Sequence, residues 1–398
     1  MRCLVGIDDT DSSTGYCTTY LAYRIAVDLA PDIKVLPYPR LVRLNPNIPF
    51  KTRGNAAVCL QVETPDPDRA FQLLSSKVAQ LSDISGGANS GMVFLSHPDL
   101  ARSLVPLYLE ALSGLVNPHR ARRLLQDLGA KTLELGNGMG IVGAASSLAF
   151  DESFDHTFEL ISYRREECWG SKRFIDSSSV KEMDKNTFPN TFINYDHQKR
   201  KILISPHGPD PVFAGVRGDS PSTVLDAFGK LRYEEKLEGF MVCLSNQHTD
   251  AHLQRRLDWK VYSSGWVDAT VVQAETGIGG HVYVTIESED GTHIAAAYEP
   301  TGDLRRTAKL LDRGDTVKVY GGVRKGTPLH PKVLNLEKVE VQASKRLPRG
   351  TFIASPRANR HLTKPLTRYG REVIGPAEEA TDWLTSVSTQ PRALVQSR

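Results

Sequence analysis

The chain lacks what a disulfide-built or membrane-built protein needs. It has five cysteines in 398 residues (Cys3, Cys17, Cys59, Cys168, Cys243), with no short Cys-x-x-Cys pair. That excludes a disulfide framework and a cysteine zinc site, and it suits a reducing compartment. No run of about 18 apolar residues occurs, and no charged-then-apolar leader precedes the first apolar run. A soluble, cytoplasmic protein with no membrane partner is the expectation. No Gly-x-x-x-x-Gly-Lys-Ser/Thr stretch is present, which excludes a P-loop ATPase. There is no internal repeat. The net charge is only +3, so the total implies no strong polyelectrolyte partner.

What is present starts with the first apolar run. Leu4-Val5-Gly6-Ile7 leads into Asp8-Asp9-Thr10-Asp11, three carboxylates within four residues where a first strand should end. Like charges this close repel, and something cationic must settle them. A magnesium ion takes hard oxygen ligands and brings phosphates with it. A solvated acidic loop with a helix N-cap is the alternative, because Asp and Ser favour both. Cys17-Thr18-Thr19-Tyr20 then opens a helical segment, so carboxylates, Gly15 and hydroxyls meet in the first turn of the fold.

With 40% apolar and 24% charged residues the composition is ordinary for a globular protein. The length predicts roughly two to four domains. Residues 1–156 alternate strand and helix, with strands at Cys3–Ile7, Ile33–Pro37, Ala56–Glu63 and Met92–Leu95. Helical periodicity covers Thr18–Leu29, 66–82, Leu100–Leu115 and Arg120–Leu128. Residues 157–258 read as a second α/β or α+β unit, with strands at 157–165, Lys201–Ile204, Val212–Val216 and Gly239–Ser245. A helix is expected at Pro221–Leu231, and a polar stretch rich in Ser, Asp and Asn follows the first of these strands. Residues 259–342 hold short strands (Trp266–Gln273, His281–Ser288, Thr292–Tyr298, Thr316–Val323) and one helix-like piece at Leu304–Asp312. That pattern fits an OB-fold barrel. Residues 343–398 are a basic segment followed by a tail expected to be disordered. Ala343–Arg371 carries eight Lys/Arg and no Asp/Glu, which suits a phosphate backbone or a solvated tail. The fold class is therefore multidomain, α/β plus all-β.

Other candidates are scattered. The loops 86–91 and 136–143 are glycine-rich, and backbone N–H groups there suit phosphate or an ordinary tight turn. Asn45–Asn55 carries cations and amides fit for phosphate or ribose, or for a plain surface loop. His207, Asp210, Arg217 and Asp219 put a histidine, an arginine and two carboxylates into one strand–loop unit. Carboxylates in a pocket suit an amine or guanidinium ligand. A salt bridge from Arg217 to Asp210 or Asp219 is the structural alternative. Asn246-Gln247-His248-Thr249-Asp250, with His252, reads as polar lining or capping.

Several stretches together carry a more specific likeness. They are Gly6-Ile-Asp-Asp-Thr-Asp-Ser, Cys17-Thr-Thr-Tyr, Pro39-Arg-Leu-Val-Arg-Leu-Asn-Pro-Asn-Ile-Pro and Lys51-Thr-Arg-Gly-Asn. Further on come Pro206-His-Gly-Pro-Asp-Pro-Val, Gly215-Val-Arg-Gly, Asn246-Gln-His-Thr-Asp-Ala-His, Tyr298-Glu-Pro-Thr-Gly and Arg360-His-Leu-Thr-Lys-Pro-Leu. On these the chain resembles the archaeal tRNA-isoleucine 2-agmatinylcytidine synthetase (TiaS) family. The resemblance implies an ATP-dependent ligase that activates the C2 carbonyl of a tRNA wobble cytidine and attaches agmatine. It implies a kinase-like α/β domain (1–156), a ferredoxin-like domain (157–258), the OB-fold (259–342) and the basic segment (343–398). Asp8, Asp9 and Asp11 would be magnesium and ATP carboxylates, and Thr18 an autophosphorylated threonine. Gly6, Thr19, Lys51, Arg53, Asn55, Gly138 and Gly140 would bind ATP. Charge places His207, Asp210, Arg217 and Asp219 near agmatine, and Arg357, Arg360, His361 and Lys364 on the RNA. The sequence departs from the family in the loop Gly87-Ala-Asn-Ser-Gly-Met, which differs from the family's asparagine–proline–glycine type, and more plainly in its cysteines. No cysteine follows Cys243, so the family's zinc ribbon is missing and no zinc is expected. The alternatives are another RNA or amine, or a non-catalytic OB-fold protein binding RNA or single-stranded DNA.

Overall fold

The structure is a computed structural model. It describes residues 1–354 and 382–386, apart from 14, 31, 52–53, 198, 300 and 328–330. The first part runs β1 (Arg2–Asp8), α1 (Thr18–Asp28), β2 (Lys34–Val35), β3 (Arg40–Arg43), β4 (Ala56–Glu63) and α2 (Pro67–Gln80). It continues with β5 (Gly91–Leu95), α3 (Val105–Ser113), α4 (Pro118–Asp127), β6 (Lys131–Glu134) and α5 (Ile141–Ser147). The second part holds β7 (Thr157–Arg164), α6 (Ser177–Thr187), β8 (Thr191–Phe192), β9 (Tyr195–Asp196) and β10 (Lys201–Ile202). It ends with β11 (Val212–Gly218), α7 (Pro221–Gly229) and β12 (Leu237–Ser245).

These two parts share one mixed sheet in the order β6-β5-β1-β4-β3-β12-β7-β11-β8. Neighbours along it pair antiparallel except β3 and β12, which meet in parallel at Leu244↔Arg40 and Ser245↔Leu41. Its two faces carry separate cores. Val42, Leu44, Phe158, Leu160 and Val242 face α3, α5 and α7 on one side. Val5, Ile7, Leu41, Tyr163 and Cys243 face α1 and α2 on the other. Strand alternation thus sends every second residue to each helix layer. The helix starts follow local chemistry. Asp66 accepts from Asp68 and Arg69 N–H ahead of Pro67, and Asn117 caps the helix that opens on Pro118.

The third part is β13 (Ser264–Thr276), β14 (Val282–Ser288), β15 (Gly291–Ala297), α8 (Asp303–Leu310), β16 (Thr316–Arg324) and β17 (Val333–Ala343). The order β15-β14-β13-β16-β17 closes on itself through a parallel β15–β17 pairing, so the sheet is a barrel. Its interior is aliphatic, with Val267, Val284, Ile286, Val319 and Val339 buried.

Two short strands lie beyond the barrel. β18 (Phe352–Ala354) pairs with β17, and β19 (Leu384–Ser386) pairs with β12. β3 reaches β12 only at Leu244 and Ser245, so the stretch Gly239–Met241 offers a free edge, and β19 takes it. Trp383 supplies the carbonyl for the Val242 N–H, at 2.7 Å. The polar stretch after β7 also folds, as α6, capped by Asp176 and held by Val180 and Met183.

The barrel is docked by residues read at first as polar loops. Asn45 Nδ2 donates to Gly114 O and Tyr262 O, and Asn47 Nδ2 donates to Ser264 Oγ at 2.6 Å. The Asn246–His252 stretch does the same from the second part. Asp250 pairs with Lys338 of β17, and His252 Nε2 lies 3.0 Å from Glu337. Asn246 grips the Arg43 backbone at both N–H (2.7 Å) and C=O (2.9 Å).

Candidate active site

β1 delivers Asp8 to the rim of the sheet, and the chain turns there at once. Asp9 adopts a left-handed φ of 55°, strained for a residue with a side chain. Its N–H donates to Asp8 Oδ1 at 2.8 Å. The loop 83–91 packs against this turn. Asp83 N–H donates to Thr10 O at 3.0 Å, Ser90 Oγ donates to Asp9 O at 3.0 Å, and the Asn89 N–H serves the Asp9 carboxylate.

Asn89 then joins both glycine loops. Its side-chain oxygen accepts from Asn137 N–H, and its carbonyl accepts from Gly140 N–H at 2.9 Å. The N–H groups of Gly138 and Gly140 are therefore committed inside the protein. Gly143 in α5 matters for a different reason. A Cβ there would collide with the Asp8 carboxylate, so the missing side chain makes its seat.

These turns surround an open cleft. Asp8, Asp9, Asp11, Lys51, Asn55 and Gly140, all expected from sequence, line it together. Its apolar wall includes Leu44, Val142 and Phe50, and Phe50 is 62% exposed. Phe50 was not singled out in the sequence, and Asn89 and Gly143 entered only as members of the loops 86–91 and 136–143. An aromatic inside the proline- and lysine-bearing stretch Pro49-Phe50-Lys51 was the available signal for the first.

The carboxylates are held out of water. Burial pushes Asp8 up to about 8, helped by the charges of Asp9 and Asp11. Burial and the Asp11 charge push Asp9 up to about 6. Lys51 reaches the carbonyl of Pro46, and desolvation with the nearby Arg324 guanidinium lowers its ammonium.

The three aspartates do not form a three-ligand cage. Among the described residues no three His, Cys, Asp or Glu converge on a point fit for a metal ion. Asp9 turns left-handed directly after Asp8, so adjacent carboxylates leave the strand in different directions.

Other expected residues stand outside the cleft. Gly6 lies in β1, where a Cβ would strike the Ala144 carbonyl, so it serves close packing of α5. Thr18 is buried at the first position of α1, its hydroxyl 3.0 Å from that of Thr10. The Thr19 hydroxyl pairs with Cys17 Sγ at 3.1 Å, and a Cβ on Gly138 would meet Glu134. Arg53 lies outside the described residues, as do Arg357, Arg360, His361 and Lys364.

The four amine candidates do not form one cluster. Asp210 precedes β11 and Asp219 follows it, with roughly 20 Å of extended strand between them. Arg173 staples the loop before β11, donating to the carbonyls of Gly208 (2.8 Å) and Asp210 (2.6 Å), with the Asp210 carboxylate 3.5 Å away. His207 is exposed on that loop. Arg217 pairs with neither aspartate. Its Nη2 lies 2.9 Å from Glu159 of β7, which sits directly opposite it in register.

Two family models match the chain. One is the TiaS TCKD domain, over residues 4–137, and the other is the TiaS FLD domain, over residues 138–252. Their junction falls before α5, earlier than the boundary at 156. The chain belongs to the tRNA-isoleucine 2-agmatinylcytidine synthetase (TiaS) family. The TiaS of Cenarchaeum symbiosum (strain A) is 40% identical over 352 residues, which is 87% of this chain and 78% of that protein. The crystal structure of TiaS in complex with its isoleucine tRNA and ATP is similar with a TM-score of 0.84 at 31% identity, covering 94% of this chain and 99% of that one. A complex of TiaS with the same tRNA, AMPCPP and agmatine gives a TM-score of 0.83 at 30% identity over the same shares.

Proposed function

We propose that the chain is an ATP-dependent carbon–nitrogen ligase that joins agmatine to the wobble cytidine of an isoleucine tRNA. The observation that carries this is the cleft, which gathers the acidic turn, Lys51 and Asn55 beside an apolar wall. Family membership supplies the substrates, since relatives have been crystallised with that tRNA, ATP or its analogue, and agmatine.

The chemistry requires such a cleft. The C2 oxygen of cytidine is a poor leaving group until ATP converts it to a phosphate ester. The agmatine amine then attacks C2, a C–N bond forms, and the C2–O bond breaks with its electrons leaving on the phosphate. In this reading Lys51, which lines the cleft, meets phosphate oxygens, and Phe50 with Leu44 and Val142 seats a nucleobase. The hard oxygens of Asp8, Asp9 and Asp11 fit a magnesium ion shared with ATP phosphates, since that ion is usually held by one or two carboxylates. Such an ion would neutralise charge on the phosphates. Thr18 is buried against Thr10, and in this reading a shift of the loop between β1 and α1 exposes it to a phosphoryl group. That loop holds left-handed φ at both Asp9 and Tyr16, 55° and 59°.

Agmatine is a dication at neutral pH, so a carboxylate should receive it and a guanidinium should not. Asp210 with His207 remains the amine-side candidate. It is supported by the burial of the Asp210 carboxylate on the loop that carries His207. Asp219 lies at the far end of β11. We read the first part as kinase-like, the second as ferredoxin-like and the barrel as an OB-fold, with α8 placed before β16 as that fold requires. The basic residues beyond 354 are the proposed RNA contact. ATP and tRNA supply makes the cytoplasm the working compartment.

Labelled agmatine, ATP and a tRNA transcript with a CAU anticodon test the reading. Mass spectrometry should find the label on the wobble nucleoside, and only with ATP. No label in RNA under any condition sinks the proposal.

A further inference from the structure

A charged triad lies on the α1 face of the large sheet. Glu159 is 2% exposed on β7, and its two carboxylate oxygens take different arginines. Oε1 is 2.9 Å from Arg217 Nη2 on β11, and Oε2 is 3.4 Å from Arg43 Nη2 on β3. Gly215 makes the seat. A Cβ there would stand 3.0 Å from Oε1, so a larger residue would crowd the carboxylate. The two guanidiniums hold Glu159 well on its charged side despite burial.

The triad carries one positive charge more than it neutralises. Arg43 and Arg217 side chains are 32% and 20% exposed, so that charge is neither fully solvated nor matched. Both Nε atoms are buried with no hydrogen-bond partner among the described residues. Charges and donors so placed usually have a counter-ion or acceptor.

The position says where that acceptor comes from. The Arg43 guanidinium lies against Gly54, with Nη1 3.0 Å from where a Cβ would be, and Gly54 lines the cleft with the aspartates. Through Gly54 the Arg43 end of the triad thus meets the rim of the cleft. Two planar forks aimed by one shared carboxylate match the geometry of a phosphate, as two lysines would not.

We propose that Arg43 and Arg217, aligned by the buried Glu159, form a two-guanidinium site for a phosphate oxyanion at the rim of the cleft. Glu159 is a positioning residue in it. The proposal rests on the function above and adds the site where a phosphate, from ATP or from the RNA backbone, is gripped.

The full-length variants Arg43→Gln, Arg217→Gln and Glu159→Gln test it, with Arg43→Lys and Arg217→Lys keeping the charge without the fork. Thermal unfolding is followed with and without ATP, inorganic phosphate and the tRNA transcript, and KM for each substrate is separated from kcat. Each Gln variant should lose about ten- to a hundredfold in affinity for the phosphate-bearing ligand, and the Lys variants should recover part of it. A loss confined to ATP assigns the nucleotide, and one confined to tRNA assigns the backbone. Variants that melt earlier yet bind ATP, phosphate and tRNA as the wild type does would overturn the proposal and leave only a staple between β3 and β7. A wild type that attaches no agmatine sinks the function, whereas the binding measurements still decide the arginine pair.

Discussion

Asp8 and Asp9 hold protons that the unfolded chain would release. Raised from 3.8 to about 8 and about 6, they lend stability that is full below about pH 4. That stability is lost as pH climbs through 6 and then 8. In chelator, the wild-type melting temperature should fall between about pH 5 and about pH 8.5 on this account, and Asp8→Asn should flatten the decline. A variant profile parallel to the wild type would show that Asp8 is not the group responsible. Gly143→Ala puts a methyl group where the Asp8 carboxylate sits. Turnover should drop about a hundredfold with little loss of melting temperature, since displacement by about an ångström is enough. The acidic turn was legible because three carboxylates after an apolar run are rare. Arg43 and Glu159 were not, because they lie 116 positions apart and only strand pairing joins them.

At the scale of elements, apolar runs and caps revealed most strands and helices. α6 escaped because few of its residues are apolar, and β19 because three residues carry no periodicity. The Asn246–His252 stretch looked like lining and proved to be the seat of the barrel. Lys338→Ala would leave Asp250 as an unpaired buried charge and should cost about 3–5 kcal/mol in denaturant unfolding. A change below about 1 kcal/mol would mean that water already serves Asp250. Ending the chain after residue 381 removes the partner of the β12 edge and the Trp383 carbonyl. That truncation should lower the melting temperature by several degrees, about 1–3 kcal/mol, even with the barrel intact. An unchanged melting temperature would show that the β12 edge needs no cover.

The whole molecule holds no cysteine after Cys243, and its free thiols are dispersed. A zinc-selective chelator should therefore leave turnover intact, whereas EDTA should abolish it and added magnesium restore it. Inhibition by the zinc chelator would reveal a site elsewhere in the chain. Among the described residues no helix is long and apolar enough to cross a membrane. The change of pattern near residue 260 anticipated where the barrel strands begin, but the sharing of one sheet by the two preceding parts could not be read. Local periodicity carries no record of which distant strand will be a neighbour. The pairing of β19 with β12 has a consequence for biosynthesis. Residue 239 waits for residue 386 before its edge is covered, so nearly 150 further residues must be translated first. Until then a bare strand edge is on offer to any other nascent chain. Slow translation of the basic stretch, or a bulky tag fused close behind Ser386, would prolong that interval and show as aggregation during expression, with the finished protein still stable.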